Sequence, residues 1–292
     1  MEKTISFSEI EQSVYNAVAK AGVILPGDVK ESLQKAAAVE VKHESAAESR
    51  GSSVIKKILE NLDAAEKMHI PMCQDTGMVV VFADIGTEAP VKLSDIDKAI
   101  NAGIESAFMD GFFRKSIVLD PVFQRKNTGN NLPAVIYHQL VPGNQLTLQI
   151  MLKGFGSENC SGLAMLNPTA GIQGVIDTVT KIVSDAGGKP CPPIIAGIGI
   201  GGTADRAMQL SKRALFRDVS DEHSDSNYAE LEKRILTRLN GLNIGPGGLG
   251  GVTTAMAVKI EAESTHIAGL PVGVSISCWA DRKCKIILGE FS

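Results

Sequence analysis

The stretch LPAVIYHQLV (132–141), PGN (142–144) and QLTLQIML (145–152) decides the fold class. Two runs rich in β-branched and aliphatic residues flank a Pro-Gly-Asn turn, and such runs read as strands joined as a hairpin. A hairpin has no place in a strictly alternating βαβ series, whose parallel strands need long crossovers. Helical patterns lie on both sides of it. The expected architecture is therefore α+β, a helical N-terminal region followed by mixed strands and helices, rather than a doubly wound sheet.

Upstream of this stretch, Ile10, Val14 and Val18 recur at helical spacing and predict a helix over 7–21, with Ser8 as its cap. Helices are also expected over 29–41 and 52–68, which makes residues 1–70 a mainly helical lead-in. MVVVFAD (78–84) reads as a buried strand, and 95–108 as a helix capped by Ser94. Downstream, a helix over 170–186 stops at Gly187-Gly188. A strand over 193–201 leads into a helix over 203–216, and another helix covers 228–239. NIGPGGLGG (243–251) can only be a loop. Strands follow at 252–261, 272–277 and 285–288. The 292 residues carry no internal repeat and no linker-like segment, so 1–292 is expected to be a single domain.

Composition excludes several functions. Hydrophobic residues are 44% and charged residues 21%, values of a soluble globular chain; aromatics are only 4%, so aliphatic side chains must fill the core. The net charge is −4 and no basic run occurs, which argues against nucleic acid as a partner. No apolar stretch reaches membrane-spanning length, and the polar N-terminus does not read as a signal peptide. The expected location is the cytoplasm, where the five cysteines stay reduced. They form no CxxC pair, so a zinc ribbon or thioredoxin-type site is not expected.

Three of those cysteines sit where chemistry is plausible. Cys73 opens a turn, Cys73-Gln74-Asp75-Thr76-Gly77, that puts a thiol, an amide, a carboxylate and a hydroxyl in succession. Cys191 is pinned between Pro190 and Pro192. Cys278 ends a predicted strand, twelve residues after His266. Taken singly, each thiol reads more readily as a core residue, and His266 as a structural histidine. Together, three thiols from separate elements suit an Fe–S cluster, and three ligands would leave one iron open as a Lewis acid. Arg114 could clamp a carboxylate through two N–H groups or lie solvated at the surface. GIGIGG (197–202) matches GxGxxG literally, but no second strand ending in an acid follows it. Close helix–strand packing therefore explains it better than NAD.

In order along the chain, CQDTG (73–77), NTGNNLPA (127–134), KGFGSEN (153–159), CPP (191–193), IGGTA (200–204) and PVGVSISCWADR (271–282) resemble the class I, iron–sulfur fumarate hydratases. That family includes the L-tartrate dehydratase α subunits, and the likeness covers nearly the whole chain. It implies an α-type hydro-lyase subunit with a [4Fe–4S] cluster held by Cys73, Cys191 and Cys278. Gln74, Asp75, Arg114 and Gly156 would bind a dicarboxylate, while Asp75 and His266 would serve catalysis. Cys160 and Cys284 match no ligand position and read as structural thiols. Phe155 interrupts the family's usual glycine run after Lys153. Single-chain members continue into a second domain. The resemblance therefore implies a separate β-type subunit that completes the site and supplies the base, in a hetero-oligomer such as α2β2. The expected reaction is the reversible dehydration of (S)-malate to fumarate; L(+)-tartrate dehydration is the alternative. From other classes, an NAD-binding oxidoreductase or a non-catalytic cluster scaffold would also be compatible.

Overall fold

The computed structural model describes residues 4–43 and 50–289. Residues 44–49, part of the expected helical lead-in, and 1–3 and 290–292 lie outside the described residues. The chain divides into two compact units. The first comprises residues 1–26, 62–154 and 282–292, the second 27–61 and 155–281. The elements are a mixture of α and β throughout, as an α+β reading requires.

In the first unit, α1 (Phe7–Val23) and α4 (Leu93–Asp110) lie on one face of a four-stranded sheet. That sheet has the order β2 (Val135–Val141), β1 (Met78–Gly86), β3 (Leu146–Lys153), β8 (Lys283–Leu288). Ile10, Val14 and Val18 from α1 and Ile96, Ile100 and Ile104 from α4 meet Val79, Val81, Ala83 and Ile85 of β1. Spacings of four on the helices and two on the strand turn each set to one side. Fully burying each of these valine and isoleucine side chains contributes about 1.5–3 kcal/mol. The cap of α1 is Ser6, whose hydroxyl accepts from the Glu9 N–H (3.1 Å), and not Ser8. Lys92 stands at the N-cap of α4 without a side-chain bond, and Ser94 lies inside the first turn.

The expected hairpin is not formed. Both strands exist, but β1 lies between them, parallel to β2 and antiparallel to β3. The cause is non-local. α4 is the crossover that returns the chain beside β1 in parallel, and β1, an almost continuous apolar run, takes the central place with both edges paired. The 142–145 turn then bridges the end of β1. N–H groups of Gly86, Thr87 and Glu88 donate to carbonyls of Gln145 (2.8 Å), Val141 (2.9 Å) and Gly143 (2.9 Å).

The second unit holds α2 (Gly27–His43), most of α3 (Arg50–Met68) and a mixed sheet. The sheet order is β4 (Gly162–Leu166), β7 (Leu270–Ser277), β5 (Ile194–Gly202), β6 (Ala255–Thr265). β5 runs parallel to β6 and antiparallel to β7. On one face, α6 (Gly171–Ala186) and α8 (Ser226–Asn240) bury Val175, Val179, Ile235 and Leu239 against Ala196, Ile198 and Ile200. On the other lies α7 (Ala204–Ala214). A side chain at Gly197 or Gly199 would strike the backbone carbonyls of Ser211 or Ala207. The GxGxxG glycines are thus embedded in β5, where they let a helix touch a strand. A short helix, α5 (Phe155–Glu158), precedes β4. The sequence reading contained neither.

Candidate active site

The turn 73–77 joins the end of α3 to β1 in the first unit. Gly77, at φ +85°, allows the sharp entry into the strand, where a Cβ would press on the Leu152 and Lys153 backbone at 2.9 Å. Its N–H donates to Asp75 Oδ1 (3.0 Å), an Asx-type bond that fixes the carboxylate. The buried Thr76 hydroxyl donates to the Arg114 carbonyl (2.6 Å), tying the turn to the segment that carries the exposed Arg114. Asn131, fully buried, closes the same junction. Its Nδ2 donates to the Gly77 carbonyl (3.1 Å) and its Oδ1 accepts from the Ser116 N–H (2.7 Å). Cys73 is half-buried and Gln74 exposed. One turn therefore offers a thiol, an amide and an oriented carboxylate, with Arg114 held on the adjoining segment.

In the second unit Cys191 lies exposed at φ +55°, an uncommon conformation for a residue with a Cβ. Pro192 bars the right-handed helical conformation at Cys191, and the Cys191 N–H is held by the Gly188 carbonyl (3.1 Å). The Gly247 N–H donates to the Pro192 carbonyl (2.8 Å), so the glycine-rich 243–251 loop braces this turn from behind. That loop is itself anchored. The fully buried Glu40 accepts from the N–H groups of Thr253 (2.6 Å) and Val252 (3.4 Å). Cys278 follows β7, and the next N–H, from Trp279, donates to the Cys191 carbonyl (3.4 Å). Cys191 and Cys278 are therefore brought onto neighbouring turns. Gly156 is close as well, its Cβ position 3.5 Å from the Lys189 carbonyl.

His266 is placed elsewhere. It sits on the exposed turn between β6 and β7, its Nδ1 accepting from the Ala268 N–H (3.1 Å). Cys278 lies beyond the other end of β7, and an eight-residue strand spans roughly 25 Å. Within one chain, His266 and Cys278 do not share a site.

A family model for fumarate hydratase (fumerase) matches residues 11–287. The putative L(+)-tartrate dehydratase subunit alpha of Methanocaldococcus jannaschii is 40% identical, over 94% of this chain and 96% of its own. The L(+)-tartrate dehydratase subunits alpha of Escherichia coli O157:H7 and K12 are 29% and 28% identical, each over 98% of this chain and 93% of their own. The chain belongs to the fumarate hydratase family. Members of the fumarate hydratase family are hydro-lyases, and this chain is an enzyme of that class. Among the described residues no helix is long and apolar enough to cross a membrane.

The five thiols of this fumarate hydratase family chain fall into two kinds, and none forms a disulfide among the described residues. Burial pushes the Cys284 thiol from the ordinary 9.0 up to about 12, and its sulfur lies 3.8 Å from the Ile150 carbonyl, so it is a core group. Cys160 donates to the Gly156 carbonyl (3.4 Å) one turn earlier. Cys73, Cys191 and Cys278 stand on turns or at a strand end; Cys191 is exposed, while Cys73 and Cys278 are half-buried, as Cys160 and Cys284 are. Among the described residues no three His, Cys, Asp or Glu side chains gather closely enough to chelate a single metal ion. An Fe–S cluster asks for a different set, one thiolate on each of several irons. Three accessible thiols without competing disulfides fit that chemistry. Asn131 lies within NTGNNLPA, but its bracing role was not legible in the sequence, and Glu40 was missed altogether, because their partners lie far along the chain.

Proposed function

We propose that this chain is the α-type subunit of a [4Fe–4S] hydro-lyase that interconverts (S)-malate and fumarate, completed by a β-type subunit in an assembly such as α2β2. The observation that carries the reading is the 73–77 turn, where Cys73 stands two residues from a carboxylate already oriented by the Gly77 N–H. Cys73, Cys191 and Cys278 would hold the cluster. When bound, it supplies an open iron as Lewis acid for the substrate hydroxyl. Gln74 and Arg114 bind the dicarboxylate, Arg114 through its planar N–H pair, and Gly156 contributes backbone contact. Asp75, oriented by the Gly77 N–H at Oδ1 and with Oδ2 on the Gly154 side, takes part in proton transfer. The base for the C3 proton belongs to the β-type subunit. Because β7 separates His266 from Cys278, His266 would serve the site of a second α copy. The proposed location is the cytoplasm, whose reducing conditions would keep these thiols available to the cluster.

L(+)-tartrate dehydration is the second reading, favoured by the names of the relatives. NTGNNLPA and SEN support malate. An NAD-linked reaction loses its support, since Gly197 and Gly199 lie against α7. The test is anaerobic reconstitution with the β-type subunit, followed by parallel assays on (S)-malate and L(+)-tartrate. Turnover of malate in preference to tartrate is expected, and Cys191→Ala should abolish it. Full activity in Cys191→Ala would refute the ligand assignment.

A further inference from the structure

Arg282 is the largest fully buried side chain of the described residues, only 1% exposed, yet two of its three guanidinium nitrogens are not satisfied. Nε and Nη1 are buried and meet no acceptor among the described residues. Native proteins almost always pair buried polar groups, and buried cations above all. Arg217 is better held: its Nε and Nη1 donate to Asp221, Glu232 and the Ile260 carbonyl, so that a buried cation has acidic partners there.

The surroundings of Arg282 point to a ligand. Gly154 has no side chain, and the point where a Cβ would lie is 3.3 Å from Asp75 Oδ2 and 3.6 Å from Arg282 Nη2. An acceptor and a donor therefore border one small space that any other residue would fill. The buried Lys153 adds positive charge at its rim, its Nζ donating to the Gly154 carbonyl (3.3 Å). The Arg282 backbone is fixed as well, its carbonyl accepting from the Leu152 N–H (2.9 Å). A 2-hydroxycarboxylate complements such a pair. Its O–H can donate to a carboxylate such as Asp75, and its own planar carboxylate accepts from a guanidinium fork.

We propose that Arg282 binds a carboxylate of the 2-hydroxy acid substrate in the space that Gly154 leaves open beside Asp75, and that Gly154 sets which ligands enter. This rests on the hydro-lyase reading above. Gly154 has ordinary backbone angles, so Gly154→Ala folds and fills the space without removing a charge. Arg282→Lys keeps the charge but loses the fork.

The test uses the reconstituted two-subunit holoenzyme, with (S)-malate as substrate and succinate as a non-reacting dicarboxylate. For Gly154→Ala the KM for malate and the inhibition constant for succinate should both rise about tenfold, the loss of a charged hydrogen bond. kcat should change by less than about threefold, as loss of uniform binding predicts, with Tm and iron content unchanged. Arg282→Lys should move the same two constants in the same direction. If both constants stay at wild-type values in Gly154→Ala, the inference is overturned: buried water then satisfies Arg282 and its role is structural. Should Arg282→Lys not fold, Gly154→Ala decides alone. Succinate-induced thermal stabilisation separates this inference from the functional reading. A wild-type enzyme that turns over neither acid, yet loses succinate stabilisation in Gly154→Ala, leaves Arg282 a carboxylate site while the hydro-lyase assignment falls.

Discussion

The two sheets handle their central strands in opposite ways. β1 is packed by side chains, with Val79, Val81, Ala83 and Ile85 under α1 and α4. β5 is packed on one face by the absence of side chains, with α7 lying directly on Gly197 and Gly199. The difference reaches the loops. The first sheet supports a turn in which Gln74 is exposed and Cys73 and Asp75 are half-buried, side chains that can meet a ligand, while Thr76 anchors the turn inward. The second supports thiols on backbone fixed by prolines, glycines and main-chain bonds. In the proposed mechanism one region supplies groups that bind and move protons, and the other supplies fixed positions.

That contrast is most easily broken at β5. Gly199→Val drives a branched side chain into the Ala207 carbonyl, where backbone rather than a flexible side chain must yield. The cost is expected to exceed about 4 kcal/mol, and the variant should be insoluble on expression. A matching enlargement on β1, Ala83→Val, meets side chains that can repack and should cost about 1–3 kcal/mol, read from urea midpoints. Equal losses at the two sites would remove the distinction.

Next in size is Asn131→Ala, which strips acceptor and donor from the Ser116 N–H and the Gly77 carbonyl. Asn131 also sits at φ +61°, where Ala is less at ease than Asn. A loss of about 2–4 kcal/mol is expected, together with a raised KM, because the 73–77 turn and the Arg114 segment lose their common tie. An unchanged KM would mean that the turn needs no such brace.

The smallest effect sharpens the division among the thiols. Cys284 holds its proton up to about 12 when folded, against the ordinary 9.0 when unfolded. Above 9.0 the unfolded state loses protons first, so this contribution to stability is complete below that pH and drains away as pH rises toward 12. Cys284→Ala should flatten the fall in urea midpoint across that window without altering iron content. Retention of the full slope would place its origin elsewhere.

The parts of this fold that sequence reveals are those written in local pattern. Ile10, Val14 and Val18, or the run at 78–84, declare helix and strand without reference to anything distant. Strand neighbours are another matter. PGN at 142–144 carries good turn chemistry, and nothing within 132–152 tells that β1 will be inserted between its arms. β4 escaped notice because it is five residues long, half exposed and paired only to β7. The site divides likewise. CQDTG and the two proline- or strand-anchored cysteines announce themselves by composition and by family resemblance. Asn131 and Glu40 act through partners far along the chain, and Gly154, Asp75 and Arg282 meet only in the fold, where the missing side chain of Gly154 leaves a space that no local pattern encodes.

The claim on which the account rests is that Cys73, Cys191 and Cys278 are cluster ligands while Cys284 is core. Iron and acid-labile sulfide analysis of anaerobically purified protein, with its visible spectrum, tests it most directly. The account predicts a brown protein with about four irons per α chain, near-background iron in Cys191→Ala and Cys278→Ala, and wild-type iron in Cys284→Ala. A colourless, iron-poor wild type, or iron retained in the Cys191 and Cys278 variants, would contradict it.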